Sequence, residues 1–356
     1  MKLIKDLFSP KKRGRTISYL MVIAFYAVIQ AMIASKSISS LMKGMLVPLC
    51  AYVVAALALN LVVGILGDLS LGQAGFMSVG GYCGATVAAI AMKSIDNKIL
   101  VLVLAVVAGA VVASIFGVII GVPILKLHGD YLAIVTLAFG QIVKTLISNV
   151  YLGIDENGLQ FAFINDTTKL SAEGKMIING PIGLSGNSRI STFTIGIVLV
   201  LITLVIIYNM LYSKTGRAIM AVRDNRIAAL SVGVDVSKYK LMAFVVSAAL
   251  AGAAGAYYCM NYATVAPAKF DFNTSIMILV YVVLGGLGNM NGTIIATSIL
   301  LVLPEMLRGL SDYRMVIYAV VLIVMMLVTN NQTSKTYIEK TKAKVNGLFN
   351  KKKGAE

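Results

Sequence analysis

Residues 99–125 read ILVLVLAVVAGAVVASIFGVIIGVPIL, without one charged side chain. A helix advances about 1.5 Å per residue, so this stretch is long enough to cross the roughly 30 Å hydrocarbon core of a bilayer. A surface helix of a soluble protein would carry a polar face, and this one has none. It reads as a transmembrane helix. Gly117 and Gly121 share one of its faces, where missing side chains let a second helix approach closely. Gly80 and Gly84, in GGYCG, repeat the spacing in another apolar segment.

Working outward, apolar segments also lie at 17–34, 45–66, 72–92, 131–150, 192–212, 241–260, 274–287, 293–307 and 315–329. This pattern predicts an all-α, polytopic membrane protein with about ten transmembrane helices. The short alternating segments of a membrane barrel are absent. Residues 17–34 follow a basic start, but no A-x-A-like cleavage site comes after them, so they read as a retained span. Composition agrees: 58% of the chain is hydrophobic and 13% charged, against about a quarter charged in soluble domains. The 274–307 region is the exception to regular spans. Two short apolar halves flank Asn289, Asn291 and Gly292. They are either two short helices or one discontinuous segment, and broken helices need protein or water around them.

Charge fixes the expected topology. Of the 31 Lys and Arg, six lie in 1–15, six in 214–240 and seven in 335–353. Basic clusters mark cytoplasmic faces and contact anionic headgroups, so the net charge of +16 points to the lipid bilayer and not to nucleic acid. With ten crossings, the basic tails 1–16 and 331–356 and the 213–240 segment all fall on the cytoplasmic side. The 151–190 segment falls outside.

Chemistry is sparse. Cys50, Cys83 and Cys259 are far apart, and His128 is the one histidine, so neither a metal site nor a disulfide framework is expected. No G-x-x-x-x-G-K-[ST] is present, and GGLGNMNG (285–292) does not fit G-x-G-x-x-G. No catalytic constellation or cofactor motif appears, so the chain is not expected to be an enzyme. Asp68, Asp130 and Glu305 sit at segment edges and read as solvated caps. With hardly any acid inside the spans, a self-sufficient ion-coupled carrier is disfavoured.

One segment is out of character: TGRAIMAVRDNRIAALSVGVDVSKYK, residues 215–240, is polar and mixed in charge between two apolar spans. Gly216 to Leu230 reads as one short helix. Gly233 suits its C-terminus, and Asp235 can cap the next helix. A cytoplasmic helix showing Arg217, Arg223, Asp224 and Arg226 is shaped to sit in a groove on a soluble partner, or else is a solvated loop helix.

Several stretches carry a resemblance: LALNLVVGILGDLSLGQAGFMSVGGY (57–82), LHGDYLAIVTLAFGQIVKTLISN (127–149), the 215–255 segment ending LMAFVVSAALAGAAG, ILVYVVLGGLGNMNGTIIA (278–296) and LPEMLRGLSDYRMVIYAVVLIVMM (303–326). Together they resemble the permease subunits of branched-chain amino-acid ABC importers, and the GDYLAIVTL-type segment points to the LivM-type subunit. The resemblance covers about residues 45–330 and, with the extra N-terminal span, implies one permease domain over 17–330 in the cell membrane of a bacterium. It implies a second related permease, two ATP-binding subunits that hydrolyse ATP, and an extracytoplasmic substrate-binding protein. The segment matching 215–235 couples to the ATPase in this family, which carries over to Gly216, Arg217, Ala218, Arg223, Asp224, Ala229 and Gly233. Between Leu159 and Gly183 this chain departs most from the family, so the resemblance assigns no contact to the binding protein there.

Substrate would cross by a weakly polar pathway, since tight binding would trap it. Asn60, Ser70, Gln73, Ser78 and Gln141 are the polar residues to consider for it, with helix–helix hydrogen bonding as the alternative. Urea, another small amide or another amino acid is the rival substrate, and an ion-coupled secondary transporter or channel the rival class.

The topology is testable. With the native cysteines replaced, a cysteine at Ser213 or Ser334 should react only from the cytoplasm, and one at Asn157 only from outside. Labelling of position 334 from outside would overturn the ten-span arrangement.

Overall fold

The structure, a computed structural model, describes residues 13–35, 39–124, 130–155, 158–164, 175–186 and 189–307, with scattered positions between 316 and 323. Both basic tails and His128 lie outside the described residues. The chain divides into two units, 1–298 and 299–356, and the packing below is that of the first.

Apolar sequence becomes helix because a lipid-exposed backbone must satisfy its own N–H and C=O groups. The helices are α1 (Arg13–Ala34), α2 (Ser40–Asn60), α3 (Gln73–Ala91), α4 (Lys98–Ile124), α5 (Asp130–Ser148), α6 (Phe193–Leu211), α7 (Lys214–Asp224), α8 (Arg226–Ser231), α9 (Val236–Cys259), α10 (Phe272–Gly285) and α11 (Met290–Met306). A π-helical turn, Leu61–Leu66, continues α2. Among the described residues, seven helical stretches are long and apolar enough to cross a membrane: α1, α2 with its π-turn, α3, α4, α5, α6 and α9.

The 274–307 region resolves into two helices, α10 and α11, of 14 and 17 residues. At 1.5 Å per residue they span about 21 and 25 Å. Gly286 and Gly288 between them take positive φ, 91° and 77°. The two helices then fold back against each other: a Cβ on Gly292 would fall on the Gly285 carbonyl. The expected span at 315–329 lies mostly outside the described residues.

Small residues build the centre. On α4, Val103, Val107, Val111, Ile115 and Val118 are exposed, the face of a helix that meets lipid, while Ala105 and Ala113 are fully buried. Gly109 and Ala113 lie against Gly252 of α9, and a Cβ on Gly80 of α3 would fall on the backbone of that same Gly252. Gly117 and Gly121 meet Ala248, Leu241 and Phe244 of α9, and Gly84 meets Ala256 of α9 and the Ala105 carbonyl of α4. Both expected GxxxG faces are therefore helix contacts. From Leu46 on, α2 is apolar but for Asn60 and is buried on nearly every side, with Ala55 through Asn60 at 0% exposure, the state such a helix demands.

The 151–190 connection is not irregular. It holds a four-stranded antiparallel sheet in the order β2-β1-β3-β4, from β1 (Val150–Asp155), β2 (Gly158–Phe163), β3 (Lys175–Asn179) and β4 (Gly183–Leu184). The Leu184 and Val265 amides donate to each other's carbonyls at 3.0 and 3.2 Å, stitching the sheet to the chain after α9. At the same end Tyr257 Oη donates to the Thr192 carbonyl at 2.8 Å. At the opposite end Ser18 of α1 hydrogen-bonds Tyr208 of α6 at 2.5 Å and also Asn291.

The small-residue contact predicts a stability effect. Gly252→Val has no room between Gly80, Gly109 and Ala113, and overpacking costs about 1–3 kcal/mol. It should lower the temperature at which the detergent-solubilised protein loses its monodisperse gel-filtration peak. Gly44→Ala, with no atom within 4 Å of the added carbon, should not. Equal behaviour of both variants would contradict the packing.

Candidate functional site

The 213–240 segment forms at the end of the bundle opposite the sheet. Ser213 starts it, its Oγ accepting from the Gly216 amide at 3.3 Å. Gly216 is needed for space: a Cβ there would fall on the Met210 and Leu211 carbonyls. The reason is close approach, and not the backbone strain that its place at a helix start suggests. The expected single helix is broken. Asn225 leaves helical geometry at φ −155° and ψ 106°, ending α7 and capping α8. Its Oδ1 accepts from the Ala228 amide at 3.0 Å, the competition with the helix ladder for which asparagine is suited. Gly233 has φ 83°, and Asp235 caps α9 through the Lys238 amide at 3.1 Å, both as the sequence implies.

Val222, Ala229 and Val236 form a small buried cluster, with Val234 against it, and hold the segment to its own root. Gly216 is buried and Ala218 half-buried, whereas Arg217, Arg223, Asp224 and Gly233 are exposed. Sequence reading missed the apolar surface beside them. Ile227, Leu230 and Val232 are 80%, 52% and 77% exposed. The signal was there: isolated large aliphatics in a polar segment between two apolar ones.

Beneath lies the end of α2. Arg223 donates from Nε and Nη2 to Asp224 Oδ1 at 3.0 and 2.9 Å. Its Nη1 reaches the Gly64 carbonyl at 3.5 Å, and its stem crosses Gly67, whose missing Cβ would sit 2.8 Å from Arg223 Cγ. Asp68 is not the solvated cap expected of it. Lys240 Nζ donates to both its carboxylate oxygens at 2.6 and 2.7 Å, with the two side chains only 10% and 17% exposed. Asp130 opens α5, and Glu305 lies on α11.

The five polar candidates separate. Asn60, Ser70, Gln73 and Ser78 are buried, and Gln141 on α5 is half-buried. Asn60 Oδ1 accepts from the Gly288 amide at 2.8 Å, and its Nδ2 donates to Thr293 Oγ1 at 2.8 Å. Gln73 Nε2 donates to the Ala55 carbonyl at 3.1 Å. For these two the helix-bonding reading describes what they do. The Ser78 hydroxyl is buried without a partner. Further buried hydroxyls do the same joining work and were not singled out. Ser275 Oγ accepts from the Ala74 amide at 3.1 Å, Ser247 Oγ donates to the Ala58 carbonyl at 2.6 Å, and Thr136 Oγ1 accepts from the Leu71 amide at 3.0 Å. A hydroxyl looks alike in sequence whether it joins helices or lines a path.

No groups of His, Cys, Asp and Glu able to hold a metal ion occur among the described residues.

The family model for the branched-chain amino acid transport system permease component matches residues 41–329. The chain belongs to this family. It is similar to the high-affinity branched-chain amino acid transport system permease protein LivM of Escherichia coli (strain K12). The two are 33% identical over 286 residues, or 78% of this chain and 66% of the relative. LivM of Salmonella typhimurium gives the same figures. LivH of Escherichia coli (strain K12) is 24% identical over 281 residues, 78% of this chain and 89% of that protein. The chain thus spans just under two thirds of the length of the LivM relatives. No solved structure matches it.

Asn60 offers a direct test. Asn60→Ala leaves the Gly288 amide without its acceptor, while Thr293 Oγ1 keeps its bond to the Asn289 carbonyl, and an unsatisfied buried group costs about 1–3 kcal/mol. The variant should unfold at lower temperature in the gel-filtration assay. An unchanged profile would show that the turn at 286–289 does not depend on this residue.

Proposed function

We propose that this chain is a LivM-type permease subunit of an ATP-driven importer for branched-chain amino acids. It works beside a second, LivH-like permease and two ATP-binding subunits, and takes substrate from an extracytoplasmic binding protein. Membership of the permease family over 41–329 supports this most directly. The geometry supports it as well. A segment with a charged and apolar surface stands at one end of an apolar bundle, anchored by its own small core.

The element made of Gly216, Arg217, Ala218, Arg223, Asp224, Ala229 and Gly233 is the coupling segment in this reading. Gly216, Ala229 and Gly233 shape it. Ile227, Leu230 and Val232 supply the apolar contact that a groove on the ATPase would cover, and Arg217 the charged rim. Ten crossings, with α10 and α11 as two short ones, place the tails and the coupling segment in the cytoplasm and the sheet outside. The Ser18–Tyr208 contact supports that arrangement, since it sets the start of α1 beside the end of α6 that leads into the coupling segment. Engagement of Asp68 by Lys240 leaves that carboxylate poorly suited to carrying a coupling ion.

Reconstitution tests the function. With a second permease, ATPase subunits and a binding protein, the chain should support ATP-dependent leucine uptake into liposomes. Comparable uptake by the chain alone, without nucleotide, would refute the importer, and urea uptake in leucine's place would refute the substrate. Leu230→Asp should leave the permease pair intact. It should weaken recovery of the ATPase subunits roughly 30-fold, the effect of losing about 2 kcal/mol at a docking hot spot. Normal recovery would remove the apolar ridge from the docking surface.

A further inference from the structure

Two side chains of the 213–240 segment grip the membrane bundle on either side of the protruding α8: Arg223 on α7 and Lys240 in the first turns of α9. Arg223, before it, lies across Gly67 and reaches the Gly64 carbonyl. Lys240, after it, holds Asp68 through both carboxylate oxygens. Both grips land on one short stretch, Gly64–Asp68. That stretch is where α2 loses α-helical winding: the Gly67 and Asp68 amides both donate to the Val62 carbonyl, at 3.0 and 3.3 Å. A π-turn is an insertion in a helix that often marks a functional position. Gly64 in turn lies bare against the next element, since a Cβ on it would fall on the Gly288 amide. One turn earlier, Asn60 ties that same amide and Thr293 to α2.

Stability does not explain the outer grip. The side chains of Arg223 and Asp224 are 41% and 67% exposed, and exposed pairs contribute little. What their bond does is orient the guanidinium along the π-turn. We infer that Arg223 and the Lys240–Asp68 pair are positioning residues that carry motion of α8 into Gly64–Asp68. From there it passes through the Gly64–Gly288 contact to the α10–α11 turn. This rests on the ATP-driven reading above and adds the route that the motion takes. Two grips define a lever, where one would define a hinge about which α8 could swing without moving α2.

The test uses the full assembly in liposomes and reads leucine taken up per ATP hydrolysed, together with recovery of the ATPase subunits. Arg223→Met is exposed and so has little reason to unfold. The double variant Asp68→Asn with Lys240→Met removes the second grip without leaving a lone buried charge. Uptake and hydrolysis are read on assemblies of matched ATPase content, so that any docking loss through Arg223, which belongs to the coupling segment, is taken out of the ratio. Uptake per ATP should fall about fivefold or more, the usual scale of coupling between sites. Arg223→Lys, which keeps a donor at that reach, should restore most of it. A wild-type ratio in both variants would overturn the relay. So would a ratio that falls only as ATPase recovery falls, since these residues would then be docking contacts. A wild-type assembly that takes up nothing with ATP would instead overturn the functional reading and the relay with it.

Discussion

Lipid gives helices no apolar incentive to associate, because its tails are as apolar as their side chains. What remains is close approach and hydrogen bonding. This chain meets the first demand at Gly252, where α3 and α4 both come down onto α9 with nothing larger than the Ala113 methyl between. The rest of the bundle depends on that contact. It fixes which face of α4 is left to lipid, and it lets α2 be enclosed on all sides. Substitutions on the valine and isoleucine face of α4 should be tolerated as long as they remain apolar. The glycine and alanine face has no such freedom.

The second demand is met where helices break. Four interruptions gather at one end: the π-turn of α2, the turn at Gly286–Asn289, the Asn225 break between α7 and α8, and the Gly233 turn into α9. Each frees backbone groups; Asn225 and Asp235 take them up locally at two of the breaks, and side chains from other elements serve the other two. Asn60 serves Gly288, and Arg223 reaches Gly64. An end built of broken helices held by side chains can rearrange at less cost than one of continuous helices. The sheet end is tied instead by reciprocal backbone bonds between Leu184 and Val265. The proposed importer would thus have a stiff outer end and a yielding inner one.

Much of this was legible in the residues. Uncharged runs marked seven helices, because the cost of a charge in hydrocarbon leaves a record in composition. Gly117 with Gly121 and Gly80 with Gly84 announced close contacts, and Asp235 announced a cap. The sheet in 151–190 was not foreseen, because strands of two to six residues with a register shift at Leu152/Gly153 leave no long alternation. The Asn225 break was hidden inside a run of good helix formers, where one side chain's bond to the Ala228 amide decided it. Asp68 was misjudged because its partner, Lys240, lies 172 positions away. Spacing along the chain carries no record of such a pairing.

The slight burial of α1 bears on how the protein is made. The family match begins at residue 41, after this helix has ended, and Leu20, Ile23 and Val28 on it are exposed. Its polar attachment at Ser18 joins Tyr208 and Asn291, nearly two hundred and more residues downstream. This helix is made before α2 to α6 and therefore waits through the synthesis of several others before its partners exist. Until then the Ser18 hydroxyl must be satisfied by water or headgroups at the membrane surface, where its place near the start of the helix allows it to remain. The order of synthesis alone thus puts the polar docking of α1 after the making of α6.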